Sequence, residues 1–394
     1  MTNLFKKAES IKEYCTNIRH MIHQNPEVSF KEFETTELIK KELKDMGIDV
    51  LPLDIATGVV AEIKGTKKGP EAVTALRADI DALQMEDLSG KPYASKNPGV
   101  AHACGHDGHT AILLGAAKLL NEVKDQFSGV VKLVFQPAEE GLYGSRVIID
   151  SGALKNPDAD AIICLHGWPY FKVGEIGAWP GPYMASADKF LIKIIGQSGH
   201  GARPYKAVNP IMAAASAINA IPNIVSNEIV TAKQAVVTVC TIHAGMAFNV
   251  IPDSVEFGGT VRCLDPEVRD ELEAKIRRVA DGAAQMFGCR AEIDYQRGVP
   301  PLMNDPGLAE QVIKAGADAL GNESIRELDG PVMGSEDFSY YIDAVGKGVF
   351  YRLGIGTGED IEPIALHNSK FDFNDDAIPY GVATMVQLIL NRHS

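Results

Sequence analysis

Three histidines, a cysteine and an aspartate crowd into one segment of the chain, AHACGHDGHTA, at residues 101–111. Cys104 and His106 stand one residue apart in a glycine-containing loop, and a helix is predicted to begin near Asp107. The unpaired N–H groups at a helix start lower the pKa of a nearby thiol and favour the thiolate. A thiolate beside imidazoles could bind a metal ion or take part in redox chemistry, and a polar turn before a helix would have the same composition.

A second charged group follows the apolar run VVKLVFQPAEE, which is predicted to be a strand. Glu139 and Glu140 come directly after its end, and ligands in open α/β sheets bind at the carboxyl ends of strands. Because adjacent side chains diverge, one carboxylate could bind a metal ion while the other acts as a general base on a water molecule. The alternative is a solvated pair of acids after a strand.

Two further histidines are candidates, although a single histidine is more often structural. His166 ends the apolar run AIICLHGWP, and His367 stands in the polar segment ALHNSK before the last predicted helix. The complete set of candidate ligands is Cys104, His106, Glu140, His166 and His367. One thiolate, three imidazoles and one carboxylate suit zinc, cobalt, nickel or manganese better than calcium or magnesium. A catalytic zinc ion usually has three protein ligands, so five predict a two-metal site with a bridging water or thiolate.

Alternating strands and helices must position these side chains. Apolar, β-branched runs bounded by glycine or proline predict buried strands in GVVAEIKG, AVTALRADID, VVKLVFQ and AIICLHG, and HTAILLGAAKLLNEV between two of them predicts a helix. This alternation predicts an α/β domain with a mostly parallel central sheet. Near residue 185 the pattern changes to β-α-β-β-α-β, which is typical of an α+β ferredoxin-like sandwich. We therefore predict one α/β domain in two pieces, 1–184 and 298–394, interrupted by an inserted domain at 185–297.

Composition limits the partners and the compartment. The 394 residues carry a formal net charge of −14, which disfavours binding to nucleic acid or to an anionic membrane. Neither a signal-peptide core nor an apolar run of membrane-spanning length is evident in the sequence. Six cysteines without disulfide-framework spacing are typical of a reducing compartment, so we expect a cytoplasmic protein.

Six segments, in the order AHACGHDGHTA, FQPAEE, SGHGARP, FNVIP, MGSEDFS and ALH, closely resemble the metal-dependent N-acyl-amino-acid amidohydrolases. This group includes hippurate hydrolase and the plant auxin–amino-acid conjugate hydrolases, within the aminoacylase/carboxypeptidase superfamily. The resemblance extends over nearly the whole chain. It implies two divalent metal ions per subunit (manganese, zinc, cobalt or nickel) in a catalytic domain. It also implies that the inserted domain is a lid or dimerisation domain, and hence a homodimer or a dimer-based oligomer.

The resemblance also implies roles for single residues. The five candidate ligands match the family's ligand positions, with Cys104 in or near the bridging position. Glu139 matches the general base. His200, in the glycine-rich turn GQSGHGARP, is then the candidate for stabilising the oxyanion, and it can reach the active site of the partner protomer. His102 and His109 are left to packing or to support of the ligands.

Four more residues are candidates for lesser roles. Asn249, Arg262 and His243 lie in the inserted domain and are candidates for binding the substrate carboxylate or amide, since an arginine fork suits a carboxylate. A surface salt bridge is the ordinary role of a single arginine. Asp79, in RADID, could orient a ligand histidine or simply pair with Arg77.

The predicted reaction is hydrolysis of the amide bond of small N-acyl-L-amino acids (N-acetyl, N-benzoyl or similar) by a metal-activated water. The alternatives are a dipeptidase or another aminoacyl-conjugate hydrolase with the same site and, more remotely, a non-catalytic small-molecule binding protein. Retention of Glu139 favours an enzyme. The chain departs from the family pattern at Gln84, Cys164 and Tyr205, where proline, glycine and histidine are common, and Tyr205 could alter the substrate pocket.

Overall fold

A computed structural model describes residues 2–141, 143–356 and 363–394. The chain forms two compact units. The main unit comprises Met1–Gly181, Met303–Gly330 and Asp337–Ser394, and the inserted unit comprises Pro182–Leu302 and Pro331–Glu336. The boundaries predicted from the sequence, after residues 184 and 297, remain predictions beside this division.

In the described part of the chain the strands are β1 (Asp49–Val50), β2 (Val59–Lys64), β3 (Val73–Asp79), β4 (Val130–Gln136), β5 (Ala161–Lys172), β6 (Ile176–Ala178), β7 (Gly181–Met184), β8 (Asp188–Ile195), β9 (Gly199–His200), β10 (Ala235–Ala244), β11 (Val250–Ile251), β12 (Ser254–Cys263), β13 (Arg290–Gln296), β14 (Leu302–Asn304) and β15 (Gly348–Gly356). The helices are α1 (Asn3–Ser10), α2 (Lys12–Gln24), α3 (Phe33–Asp45), α4 (His106–Glu122), α5 (Gly144–Asp150), α6 (Pro210–Ala220), α7 (Asn223–Glu228), α8 (Pro266–Met286), α9 (Pro306–Leu320), α10 (Phe338–Val345) and α11 (Ile378–Arg392).

The main unit is built on one sheet with the strand order β1-β2-β4-β3-β5-β15-β6. The four central strands, β4, β3, β5 and β15, are parallel, and the strands outside them pair antiparallel. Strand β3 is buried at every position, as expected for a parallel strand covered on both faces. The predicted α/β fold is confirmed, and its parallel part is the centre of the sheet.

Helix α4 is apolar and buried along most of its length, which is typical of a helix inside a large core. It packs between α2 and α11. The preceding Gly105 has a φ of 88°, a left-handed conformation that favours glycine. Gly108 lies against the ring of Phe373, and a Cβ added there would approach the ring to 2.6 Å. These two glycines therefore fix where the helix begins, and with it the position of His106.

The inserted unit has the predicted β-α-β-β-α-β order. Its antiparallel sheet has the strand order β10-β12-β8-β13. Strand β8 alternates between buried and exposed residues, and its buried residues pack with α6 and α8 in a separate hydrophobic core. This arrangement is the ferredoxin-like sandwich, and the fold prediction is confirmed here as well. Among the described residues, every helix is too short or too polar to cross a bilayer.

A buried ion pair ties the inserted unit together. Arg269, on α8, donates to both carboxylate oxygens of Asp188 at 2.9 and 2.6 Å. The hydroxyl of Tyr295 donates to the same carboxylate at 3.1 Å. The side chain of Asp188 is fully buried, so removing Arg269 would leave a buried charge without its main partner.

We predict that Arg269→Leu lowers the free energy of unfolding by roughly 3–5 kcal/mol, the range for breaking a buried ion pair. Denaturant titration followed by circular dichroism measures the change. Arg278→Leu is the control, because Arg278 is on the same helix and pairs with Glu228 in a largely exposed position. An equal loss in the two variants would show that the buried pair has no special part in stability.

Candidate metal centre

The carboxyl ends of β3 and β4, and the part of β5 just beyond its pairing with β3, lie at one edge of the main sheet. Strand β3 ends at Asp79, and the chain after β4 leads directly to Glu139 and Glu140. His166 lies in β5, two residues beyond Cys164, the last residue that pairs with β3. Helix α4 begins at the same edge with His106, whose Nδ1 donates a hydrogen bond to the carbonyl of Asp81 just beyond β3. The topology thus brings distant polar side chains to one place.

Cys104, His106 and His166 form a buried group whose ligand atoms all lie within 4.8 Å of one another. The Sγ atom of Cys104 is 3.5 Å from Nε2 of His166. Both imidazoles use Nδ1 to donate to backbone carbonyls, His106 to Asp81 at 2.9 Å and His166 to Gly167 at 2.8 Å. Each therefore presents Nε2 toward the thiol, and that is the tautomer that a metal ligand requires.

Cys104, Glu140 and His367 form a second group with the same spacing. Nε2 of His367 lies 3.3 Å from Oε1 of Glu140. The backbone N–H of His367 donates to the carbonyl of Ala103 at 2.8 Å, which ties this loop to the cysteine loop. Cys104 belongs to both groups, so one sulfur atom stands between two sets of ligand atoms. All five predicted ligands are brought together.

The electrostatics of these groups fit a cation. Nε2 of His106 is buried and has no hydrogen-bond partner among the described residues, although such atoms are rarely left unsatisfied. Hydrogen bonds that His367 donates to the side chains of Cys104 and Glu140 raise the pKa of His367 to about 10. Burial holds the pKa of His166 well below its usual value, with His109 adding to the effect. A metal ion would take the place of the proton on His367 and find His166 already neutral.

Glu139 is buried beside this centre. Its Oε2 atom lies 4.0 Å from Nε2 of His106, and His106, Glu139 and Glu140 form another group of ligand atoms within 4.8 Å. The two neighbouring backbone N–H groups, of Glu139 and Glu140, donate to the two oxygens of Asp81 at 3.1 Å each. Asp81 thus fixes both acidic residues through their backbone.

Asp81 is a residue that the sequence analysis missed. It is buried, and besides the two amides it accepts the hydroxyl of Ser29 at 2.7 Å. The available signal was the spacing in RADID, where Asp79 is the last residue of a buried strand and Asp81 follows directly beyond it. The pairing of Asp79 with Arg77 can be proposed from the sequence, whereas the partners of Asp81 are the hydroxyl of Ser29 and backbone amides far along the chain.

Asp79 is held by two partners. It accepts a hydrogen bond from Nδ1 of His109 at 2.6 Å and one from Nη1 of Arg77 at 2.6 Å, and it lies 3.6 Å from Nε2 of His106. Burial alone would raise the pKa of Asp79, but His106, Arg77 and His109 hold it well below the usual value. The N–H of Gly167 donates to Nε2 of His109 at 2.8 Å, so His109 has no free nitrogen for a metal ion.

The remaining predicted residues lie in the inserted unit. His200 is exposed on β9 and pairs with Val250 of β11, and Asn249 is exposed directly before β11. His243 is exposed on β10. Arg262 is half-buried on β12 and donates from Nη1 to Oγ of Ser335 at 2.8 Å. The catalytic and substrate-binding roles of these residues remain predictions.

The fold and the ligand cluster together describe a hydrolase of the metallopeptidase type, and sequence comparison names its family. The chain belongs to Peptidase family M20/M25/M40, which matches residues 75–391. It is 40% identical over 370 residues to N-acetyl-L-cysteine deacetylase of Bacillus subtilis (strain 168), covering 94% of this chain and 86% of that protein. It is 39% identical over 381 residues to IAA-amino acid hydrolase ILR1-like 4 of Arabidopsis thaliana, covering 96% and 85%.

Solved structures agree with this assignment. A dinuclear metal-binding peptidase of family M20 from Bacillus subtilis superimposes with a TM-score of 0.85 at 34% identity, covering 98% of this chain and 99% of that one. A chain from methicillin-resistant Staphylococcus aureus superimposes with a TM-score of 0.92 at 31% identity, covering 99% of each. The resemblance that the motifs indicated is therefore confirmed.

We predict that Cys104→Ala lowers the bound metal to well below two ions per chain, because the sulfur belongs to both ligand groups. Inductively coupled plasma mass spectrometry after gel filtration measures the stoichiometry. Cys15→Ala is the matched control, since Cys15 is also buried but lies in the hydrophobic core. Two tightly bound ions in Cys104→Ala would contradict a shared sulfur ligand.

Proposed function

We propose that this protein hydrolyses the amide bond of N-acyl-L-amino acids (N-acetyl, N-benzoyl or similar) and releases a carboxylic acid and a free amino acid. One observation carries the proposal. The Cys104 sulfur is shared by two groups of ligand atoms, and the buried carboxylate of Glu139 lies beside them. The names of the relatives, an N-acetyl-L-cysteine deacetylase and an IAA-amino acid hydrolase, support the same substrate class.

The proposed centre binds two divalent ions through Cys104, His106, Glu140, His166 and His367. When bound, two such ions make a water molecule acidic and polarise the amide carbonyl. The mixture of sulfur, nitrogen and oxygen ligands suits manganese, zinc, cobalt or nickel. The dinuclear metal-binding peptidase among the solved relatives supports this number of ions.

Glu139 acts as the general base in this proposal. It takes a proton from the attacking water and passes it to the leaving amine, so that no covalent intermediate is needed. Its burial and its 4.0 Å separation from His106 support this role, because a base must reach a water held by the centre. Asp81 holds the backbone of Glu139 while the proton moves.

Residues of the inserted unit complete the proposed site. His200 donates a hydrogen bond to the oxyanion of the tetrahedral intermediate. Arg262 binds the carboxylate of the amino acid, and its fork has donors beyond the one used by Ser335. Asn249 and His243 contact the amide or the carboxylate. In the main unit, Asp79 supports the proposed centre by fixing the ring of His109 with a hydrogen bond.

We further propose a homodimer that forms through the inserted unit. Strand β10 pairs only with β12 in the described chain and forms the edge of its sheet. An unpaired strand edge is a template for pairing with another chain. Ile242, at the end of β10, and Met246 and Phe248, just beyond it, are large exposed apolar side chains, which supports burial against a second copy. In such a dimer His200 would serve the active site of the partner.

A dipeptidase or another aminoacyl-conjugate hydrolase is the second candidate function, because the same centre would cleave those amides. Tyr205, where the family commonly has histidine, is 78% exposed on the inserted unit and could shift the preferred acyl group. The six free cysteines favour a cytoplasmic location. The acidic net charge supports a small-molecule substrate over nucleic acid or an anionic membrane.

We predict that Glu139→Gln keeps two bound ions and loses turnover by several orders of magnitude. The amide is nearly isosteric with the carboxylate, but it cannot accept the proton of the water. Steady-state kinetics on N-acetyl amino acids and metal analysis of the same sample measure the two effects. Glu62→Gln, on β2, is the control, because Glu62 pairs with the buried Lys132 in the same unit. Turnover retained in Glu139→Gln would remove it as the base.

We predict that dialysis against a chelator abolishes hydrolysis and that manganese, zinc, cobalt or nickel restores it. The restored enzyme should cleave N-acetyl, N-benzoyl or indole-acetyl amino acids at least tenfold faster than simple dipeptides. A substrate panel assayed with each defined metal measures this. Activity that survives complete metal removal would exclude the metal mechanism, and a preference for dipeptides would favour the second candidate function.

We predict that His200→Ala lowers kcat by about 10²–10³-fold, the usual cost of removing an oxyanion donor, with the metal content unchanged. If His200 serves the partner's centre, mixing inactive His200→Ala with inactive Glu139→Gln should restore activity, because one site of each mixed dimer is intact. Kinetics before and after subunit exchange measure this. Loss of metal from His200→Ala would instead indicate a ligand, and mixtures that stay inactive would contradict the shared site.

A further inference from the structure

The backbone that carries Glu139 is held by two buried acids. The N–H of Ala138 donates to Oε1 of Glu32 at 2.8 Å, and the N–H groups of Glu139 and Glu140 donate to Asp81. Three consecutive amides therefore point at carboxylates. Successive N–H groups around a left-handed residue form a concave nest that binds anions, and here side chains of the same protein fill it.

Ala138 is the strained residue of this turn. Its φ is 51°, in the left-handed region that residues other than glycine rarely adopt. Such a conformation persists only where the surrounding structure imposes it. The N–H of Gly144 donates to the carbonyl of Ala138 at 3.2 Å, and a Cβ at Gly144 would lie 1.6 Å from the carbonyl oxygen of Pro137. The carbonyl side of the turn is thus held by Gly144, and the N–H of Ala138 is held by Glu32.

Glu32 is fully buried in the segment between α2 and α3, before the residues 75–391 that match the family. Its Oε1 atom also accepts the N–H of Phe30 at 3.0 Å, and its Oε2 atom accepts the hydroxyl of Thr57 at 2.8 Å. Both oxygens have partners, so the carboxylate is fixed on two sides. A buried acid with its hydrogen bonds satisfied in this way can hold a backbone group in one position.

A second acid of the same segment has a different task. Glu27 accepts the N–H groups of Glu34 and Thr35 at 3.1 and 2.9 Å, at the start of α3. It therefore caps a helix and stabilises the fold through the backbone of α3. The segment contains one acid that serves a helix and one that serves the turn before Glu139.

We propose that Glu32 is a positioning residue for the reaction. It holds Ala138 in its left-handed conformation and so sets the direction in which the Glu139 carboxylate projects. The proposal rests on the proposed function, in which Glu139 is the base. It assigns a part in catalysis to the segment between α2 and α3.

Three variants of the manganese-loaded protein test the proposal: Glu32→Ala, Glu32→Gln and Glu27→Ala. Glu32→Ala should lower kcat on an N-acetyl amino acid on the order of 10- to 100-fold, because small displacements of a reacting group are costly. Its KM should change less than twofold, and it should keep two ions. Glu32→Gln should recover most of kcat, since its amide oxygen still accepts the Ala138 N–H and its amide nitrogen can donate to Thr57. Glu27→Ala should lower the melting temperature and leave kcat unchanged.

Hydrogen exchange of a peptide spanning 136–141 tests the clamp separately from the chemistry. Exchange should accelerate in Glu32→Ala and stay at the wild-type rate in Glu27→Ala. Unchanged exchange, unchanged kcat, or an equal fall of kcat in Glu27→Ala would each overturn the proposal. Retained turnover in Glu139→Gln would contradict the proposed function instead. Hydrogen exchange of the 136–141 peptide would still show whether Glu32 holds the turn.

If Glu32→Ala does not fold, Thr57→Val provides the milder test, because it removes the donor to Oε2 and loosens Glu32. It should reproduce the lower kcat and faster exchange at reduced size. The positioning role would be overturned by two results together. One is an unchanged kcat in Thr57→Val, and the other is full activity of Glu32→Gln although the 136–141 peptide of Glu32→Gln exchanges faster than in the wild type.

Discussion

Buried charge at the edge of the parallel sheet is the constraint on which the rest of the main unit depends. Ionised side chains away from water are stable only when they are paired and hydrogen-bonded. Asp79 is paired with Arg77 and His109, and Asp81 takes two backbone amides and the hydroxyl of Ser29. Because these pairings require α4, β4 and the N-terminal segment to lie close together, the demand for charge compensation also fixes the architecture around the centre.

The compensation of buried charge also gives different roles to two neighbouring histidines. His106 and His109 are both in the first turn of α4, but His109 spends both nitrogens on Asp79 and Gly167, whereas His106 keeps Nε2 toward the cysteine. Their chemical difference comes from their partners and from helical position. Neighbours three residues apart on one helix face can thus be a support and a proposed ligand.

The sequence predicted the fold and the cluster well because both rest on local signals. The Glu139–Glu140 pair follows an apolar run and lies just beyond the end of β4, as predicted. His166 was expected at the end of its strand, but β5 continues to Lys172, and His166 lies at the sheet edge because β5 extends beyond its pairing with β3. The change of period near residue 185 marks the inserted unit. The roles of Asp81 and Glu32 could not be predicted from the sequence, because they depend on backbone amides 58 and 106 residues further along the chain. The return of Pro331–Glu336 to the inserted unit was equally hidden, because a short loop has no periodicity. The roles of His200, Asn249, Arg262 and His243 stay predictions.

Because Cys104 belongs to both groups of ligand atoms, the proposed centre is sensitive to oxidation of a single sulfur atom. A thiolate is the most easily oxidised of the proposed donor types, and its first product is a sulfenic acid that a thiol can reverse. Since this sulfur belongs to both groups of ligand atoms, its oxidation would withdraw a donor from two positions in a single event. Peroxide would therefore convert the proposed centre from its fully metal-loaded form to an inactive form in one step, without a half-active intermediate.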